Sequence, residues 1–199
     1  MRGLKPLIIT AVMLIAVWQW FSDTETKWRP GVLAPDEPLQ TQLDQDDSFS
    51  KDDFKITPRA KFSARVRILS RENYWLGEWA RMSPVDFAVG WGPMSDTEVL
   101  KSIRVSQSGR FFFWRADELP IEQDLIQRSA SNWHMVPASS SIARQLSRVH
   151  KGDIVTVSGS LIDLVRPDGG TINTSLSRLD TGAGACEVIW VESLARVYN

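Results

Sequence analysis

The chain has 199 residues, enough for one domain with a real core and not clearly for two. A net charge of −1 gives no global electrostatic case for nucleic acid or anionic lipid. One cysteine and two histidines exclude an intramolecular disulfide and any thiolate-rich or histidine-rich metal cluster.

Residues 1–23 carry Arg2 and Lys5, then an apolar-dominated run over residues 6–21. Sixteen helical positions extend roughly 24 Å, short of a ~30 Å hydrocarbon core, with Lys5 able to snorkel and Trp18 and Trp20 suited to the far interface. The segment exits through bulky residues rather than the small ones a cleavage site needs, so an uncleaved, single-pass signal anchor is expected. Basic residues before the run place the N-terminus inside, and in a bacterium residues 24–199 outside in the periplasm. The expected location is therefore the bacterial inner membrane, with the membrane itself as one partner through residues 6–21.

Residues 22–55 hold nine acids against four bases, whereas residues 56–199 hold seventeen bases against fifteen acids. Prolines and charge across residues 24–57 predict an extended acidic tether, its less polar part (residues 28–40) being able to dock on the domain. Asp44, Asp46 and Asp47 lack the spaced glycine and terminal glutamate of a calcium loop.

From residue 58 a globular domain is expected. Phe62, Ala64, Val66 and Ile68 alternate with Lys61, Ser63, Arg65 and Arg67, predicting a strand with one buried face. Residues 73–86 read as an irregular loop, and residues 87–92 as a second strand. Ser95 and Glu98 form a capping-box pattern that starts a short helix burying Val99, Leu100 and Ile103. Residues 104–114 read as a hairpin with its turn at residues 107–110. Pro120 opens a second helix with Ile121, Leu125 and Arg128 on one stripe, followed by an extended piece over residues 132–137. A third helix begins in the serine run 139–141 and buries Ile142, Leu146 and Val149. Residues 154–165 form a strand interrupted by Gly159, as at a sharp bend. Residues 171–178 run back, residues 180–185 form a loop, and a last strand with two apolar faces begins at Cys186. Six or seven strands with three short helices predict an α+β domain around a small, bent, OB-like β-barrel.

The stretches at residues 90–96, 106–114, 131–138 and 179–192 together resemble a family of small bacterial envelope proteins with an N-terminal hydrophobic segment and no assigned activity. The resemblance covers roughly residues 30–192. It implies a membrane-tethered domain and carries over no catalytic residue.

Cys186 and His134 are the only candidate thiol–imidazole pair, which would suit a small hydrolase or transferase if the imidazole lowered the thiol pKa. The bland reading is a packing cysteine and a buried histidine bonded to a carbonyl. Arg178 and Asp180 read as a pair that fixes the glycine loop, and a lone Asp-Thr-Gly motif falls short of the two carboxylates an aspartic protease needs. No phosphate loop ends in Lys-Ser or Lys-Thr, and no cofactor is implied. Arg65, Arg67, Arg110 and Arg115 with Phe112 and Trp114 could build a nucleic-acid groove, but a location outside the cell argues against that partner. A carbohydrate-binding module on Trp75, Trp79, Trp91 or Trp114 would need coplanar exposed rings in one groove. The poverty of catalytic groups favours a non-catalytic binding or adaptor domain of an envelope assembly, with a protein or glycan partner. Its expected binding residues are Arg178, Asp180, Asn132, His134, Trp91 and Trp114.

Overall fold

The computed structural model describes residue 26 and residues 28–44, 47–177 and 185–198. The expected anchor, Asp46, Arg178 and Asp180 lie outside the described residues. Among those described, no helix is long and apolar enough to cross a membrane. The described residues form a mixed α+β fold, mostly strands around one large sheet with four short helices.

Ten strands are present among the described residues: β1 (Leu39–Gln42), β2 (Phe49–Lys51), β3 (Phe54–Asn73), β4 (Val85–Gly90), β5 (Arg104–Ser108), β6 (Phe111–Arg115), β7 (Ala130–Pro137), β8 (Ile154–Val165), β9 (Thr171–Ile172) and β10 (Glu187–Val197). The helices are α1 (Glu78–Met82), α2 (Thr97–Leu100), α3 (Gln123–Arg128) and α4 (Ser140–Leu146). The twenty-residue β3 pairs with β8 along Lys55 to Arg67 and with β4 along Arg67 to Asn73, changing register near Pro58 and again near Leu69. From β4 the pairing passes to β7, then in parallel to β10, and antiparallel to β8. Because β8 also pairs with β3, these five strands form a closed circuit of pairings.

Phe62, Ala64, Val66 and Ile68 are all buried, as the alternation predicts. They meet Phe87, Val89, Trp133, Met135, Val155, Val157, Ile189 and Val191 from the other four strands in the principal core. Ile142, Leu146 and Val149 close one part of this core, and the Ser139 side chain caps α4 by accepting the Ile142 N–H (3.3 Å). Gly159 is required by contact: a Cβ there would sit 1.9 Å from the Trp190 carbonyl oxygen, where β8 and β10 change register.

Residues 28–44 do not hang free. The Gly92 N–H donates to the Ala34 carbonyl (2.7 Å), the Ala34 N–H donates to Ser95 Oγ (3.0 Å), and Trp28 Nε1 donates to the Gly152 carbonyl (2.7 Å). β1 then adds to the free edge of β3, and β2 with β3 makes a hairpin whose turn residues Asp52 and Asp53 take positive φ. Phe54 and Ile56, read as tether, are fully buried. Backbone pairing fixes this segment, so its polar side chains gave no periodic signal of order.

Two further differences are local. Ser95 does not cap α2; it ends a 3-10 turn and binds the Ala34 and Gly92 carbonyls, while Asp96 caps the helix by accepting the Glu98 N–H (2.8 Å). On α3 the buried residue is Ile126, rather than the stripe of Ile121, Leu125 and Arg128. Replacing Gly159 with alanine should cost about 1–3 kcal/mol of stability by forcing β8 from β10. Ser193→Ala on the exposed side of β10 should stay within about 0.5 kcal/mol in the same urea unfolding measurement.

Candidate functional site

The β5–β6 hairpin lies outside the large sheet, and its two-residue turn, Gly109 and Arg110, takes positive φ at both positions as a type I′ turn requires. Between this hairpin, β7 and the start of β10 opens a cleft of about 260 Å³. One wall is aromatic, formed by Phe111, Phe112, Phe113 and Trp114 of β6 with Trp91 behind them. The opposite wall is polar, with Ser131 and Asn132 of β7 against Cys186 and Glu187. Ser177 and Ala185, which flank the undescribed residues 178–184, also line it.

Glu187 is only 1% exposed and accepts a hydrogen bond from Ser131 Oγ. A carboxylate in such a place is costly unless paired, so its hydrogen bonding matters to the cleft floor. Asn132 is held on both ends of its amide: Nδ2 donates to the Arg110 carbonyl (3.0 Å) and Oδ1 accepts from Gln107 Nε2 (2.7 Å). Trp91 Nε1 is a buried donor with no acceptor among the described residues.

Next to the cleft, the hairpin tip plugs into β4 and β7. The Arg110 guanidinium lies 3.4 Å from the Tyr74 ring centroid and 5.2 Å from that of Trp79. Its Nη1 reaches Asp86 Oδ1 (2.8 Å) and donates to the Ser83 carbonyl (3.0 Å). Asp86 is fully buried, and its other oxygen lies 2.9 Å from His134 Nδ1, its cross-strand neighbour. One carboxylate thus pairs with a guanidinium through Oδ1, while its Oδ2 lies close to an imidazole nitrogen without an aligned hydrogen bond. Burial and the nearby Asp86 charge push the Tyr74 phenol up to about 12, against the opposing pull of Arg110.

The structure therefore gathers Asn132, Trp91, Trp114 and Cys186 on one cleft, while His134 sits beside it in the Asp86 cluster. The Cys186 sulfur lies 3.8 Å from Asn132 Nδ2 and 3.9 Å from the Arg110 carbonyl, and the His134 Nδ1 edge faces Asp86. The Cys186 sulfur thus meets an amide donor and a carbonyl acceptor at the cleft wall. Of the four tryptophans considered for a sugar platform, Trp75 is 84% exposed whereas Trp91 is buried in the core. Among the described residues no group of three or more His, Cys, Asp or Glu side chains is placed to hold a metal ion.

Sequence reasoning passed over Glu187, Ser131, Asp86 and Tyr74. Glu187 had a readable signal, because it falls in phase with Ile189 and Val191 on the strand face that enters the core. Asp86 had none: only pairing across β4 and β7 brings it to His134. Comparison with models of known families, with curated proteins and with solved structures finds no match.

Removing the carboxylate with Asp86→Asn should destabilise the chain by about 3–5 kcal/mol, since Arg110 loses its buried partner. A raised phenol pKa stabilises the fold below pH 10.0, and that contribution is lost as pH rises through about 12. Ultraviolet titration should accordingly show one late tyrosine ionisation that Tyr74→Phe abolishes and Asp86→Asn moves to lower pH. A late step that survives Tyr74→Phe would refute the assignment.

Proposed function

We propose that the chain is a membrane-anchored periplasmic domain that acts by binding, as an adaptor in an envelope assembly, and that it grips its partner in the aromatic cleft. The observation that carries this reading is the cleft itself, apolar on one wall and lined with fixed hydrogen-bonding groups on the other. That division is typical of sites that take a partly apolar group and orient it through a few polar contacts.

The circuit of pairings is read as a small OB-like barrel. Counting β3, β4, β7, β8 and β10 as first to fifth, the circuit runs first, second, third, fifth, fourth and back to first. The third and fifth are parallel, and α4 lies between the third and fourth. OB-folds bind ligands on the face of their second and third strands and on the adjoining loops. Ser131 and Asn132 belong to the third strand here, and Ser177 and Ala185 to the connection before the last. No Lys or Arg is among the described residues that line the cleft, which disfavours a phosphate backbone as the occupant. A segment of an envelope protein fits best, placing an apolar side chain against Phe112 and Trp114 and an acceptor within reach of the Trp91 N–H. The inner-membrane location rests on the apolar run at residues 6–21 and the basic residues before it.

A photo-crosslinking residue placed at Phe113 should form one discrete protein adduct in cells. The adduct should disappear when Phe111 and Trp114 are both replaced by alanine, and the same probe at Val165, exposed on β8, should give none. Equal labelling from both positions, or no protein adduct from Phe113, would refute the cleft as the binding site.

A further inference from the structure

A second cavity, of about 420 Å³, lies on another part of the molecule, where the end of α2 and the start of β5 meet β3 and the turn into β8. Among the described residues, four cations line it, Arg67, Lys101, Arg104 and Lys151, and no carboxylate does. The other described residues that line it are aliphatic, Leu100 and Val105 among them. Arg67 is 5% exposed and fixed in place, its Nη1 donating to Thr97 Oγ1 (2.9 Å) and to the Ser95 carbonyl (3.2 Å). Lys101 pairs with Glu98 (2.7 Å) and Arg104 with Asp117 (2.8 Å), but both pairs are solvent-exposed and of the kind that contributes little. Their cations are therefore cheap to redirect towards an anion in the cavity. A site that combines four positive groups with aliphatic shoulders is complementary to an anionic amphiphile.

Its place in the chain identifies the source of that anion. Lys151, on the cavity wall, accepts through its carbonyl the backbone N–H of Thr26 (3.1 Å), and Thr26 Oγ1 donates to the buried Asp153 (2.6 Å). Thr26, held to the domain in this way, comes only five peptide steps after Phe21, the last residue of the apolar run. Five steps reach at most about 18 Å, and the headgroup layer accounts for roughly 5–8 Å of that. We propose that this cavity binds the phosphate of an anionic phospholipid from the bilayer that holds residues 6–21, seating the domain against the membrane surface instead of suspending it on a tether. This inference rests on the anchor reading above.

The test uses the purified full chain in uncharged detergent, titrated calorimetrically with dihexanoyl phosphatidylglycerol, dihexanoyl phosphatidylcholine and inorganic phosphate. Saturable binding of the phosphatidylglycerol alone is expected. Lys101→Glu and Lys151→Glu, both on exposed lysines, should each weaken it by about fivefold, and the triple variant with Arg104→Glu should abolish it. Far-ultraviolet circular dichroism of the triple variant checks that it is folded, and the single variants carry the test if it is not. Equal binding of the zwitterionic lipid, inorganic phosphate binding as tightly as the lipid, or unchanged affinity in the lysine variants would each overturn the proposal. Alkaline extraction of cell membranes reports on the anchor separately. A chain stripped by alkali that still binds the anionic lipid would sink the anchor while supporting the cavity.

Discussion

The constraint on which the structure depends is that one strand, β3, must serve two neighbours. Its first two-thirds pair with β8 and its last third with β4, with Arg67 in register with both Ile154 and Gly90. A twenty-residue strand cannot stay straight while doing this, and the register shifts at Pro58 and Leu69 supply the bends. Once β3 is shared, β8 and β4 are held as the two ends of the chain of pairings that β7 and β10 complete. The core residues of all five strands then face one another, and the glycine at position 159 lets β10 approach β8 closely enough to finish the circuit.

Both polar features of the molecule follow from that circuit. Parallel pairing of β10 with β7 sets Glu187 opposite Trp133 and brings its carboxylate to Ser131, at the rim of the core. Antiparallel pairing of β4 with β7 sets Asp86 opposite His134. The hairpin between β4 and β7 has no place in the large sheet, and its tip is pinned to it by Arg110 through Asp86, Ser83 and the Tyr74 ring. That pin holds the aromatic strand β6 off β7 and so defines the cleft. The same Arg110 backbone carbonyl fixes Asn132, so the wall and the floor share one support.

Much of this was legible wherever a strand or helix buries one regular face. The alternation from Phe62 to Ile68, the hairpin over residues 104–114, the cap at Ser139 and the break at Gly159 each reflect a local rule that the packing obeys. What escaped notice was held by backbone groups or by pairing between distant strands. The segment around Ala34 docks through its own main chain, whose carbonyl accepts the Gly92 N–H and whose N–H donates to Ser95 Oγ, and this leaves no pattern in its side chains. Ser95 satisfies a capping pattern in sequence yet is drawn away by those same carbonyls, and the adjacent Asp96 takes its role. Asn132, Trp91, Trp114 and Cys186 were singled out separately, by residue type, and meet on one cleft. His134, a candidate partner of the thiol by residue type, has its Nδ1 2.9 Å from Asp86, a carboxylate that sequence spacing gives no reason to suspect.

Native-state hydrogen exchange along β3 tests the shared strand most directly. If the circuit is closed, amides between Ala60 and Val66 that bond to β8 and amides between Ser70 and Glu72 that bond to β4 should exchange only through global unfolding, with one common free energy. If the half facing β8 exchanged far faster than the half facing β4, the sheet would be open there, and the support for the cleft would fail with it.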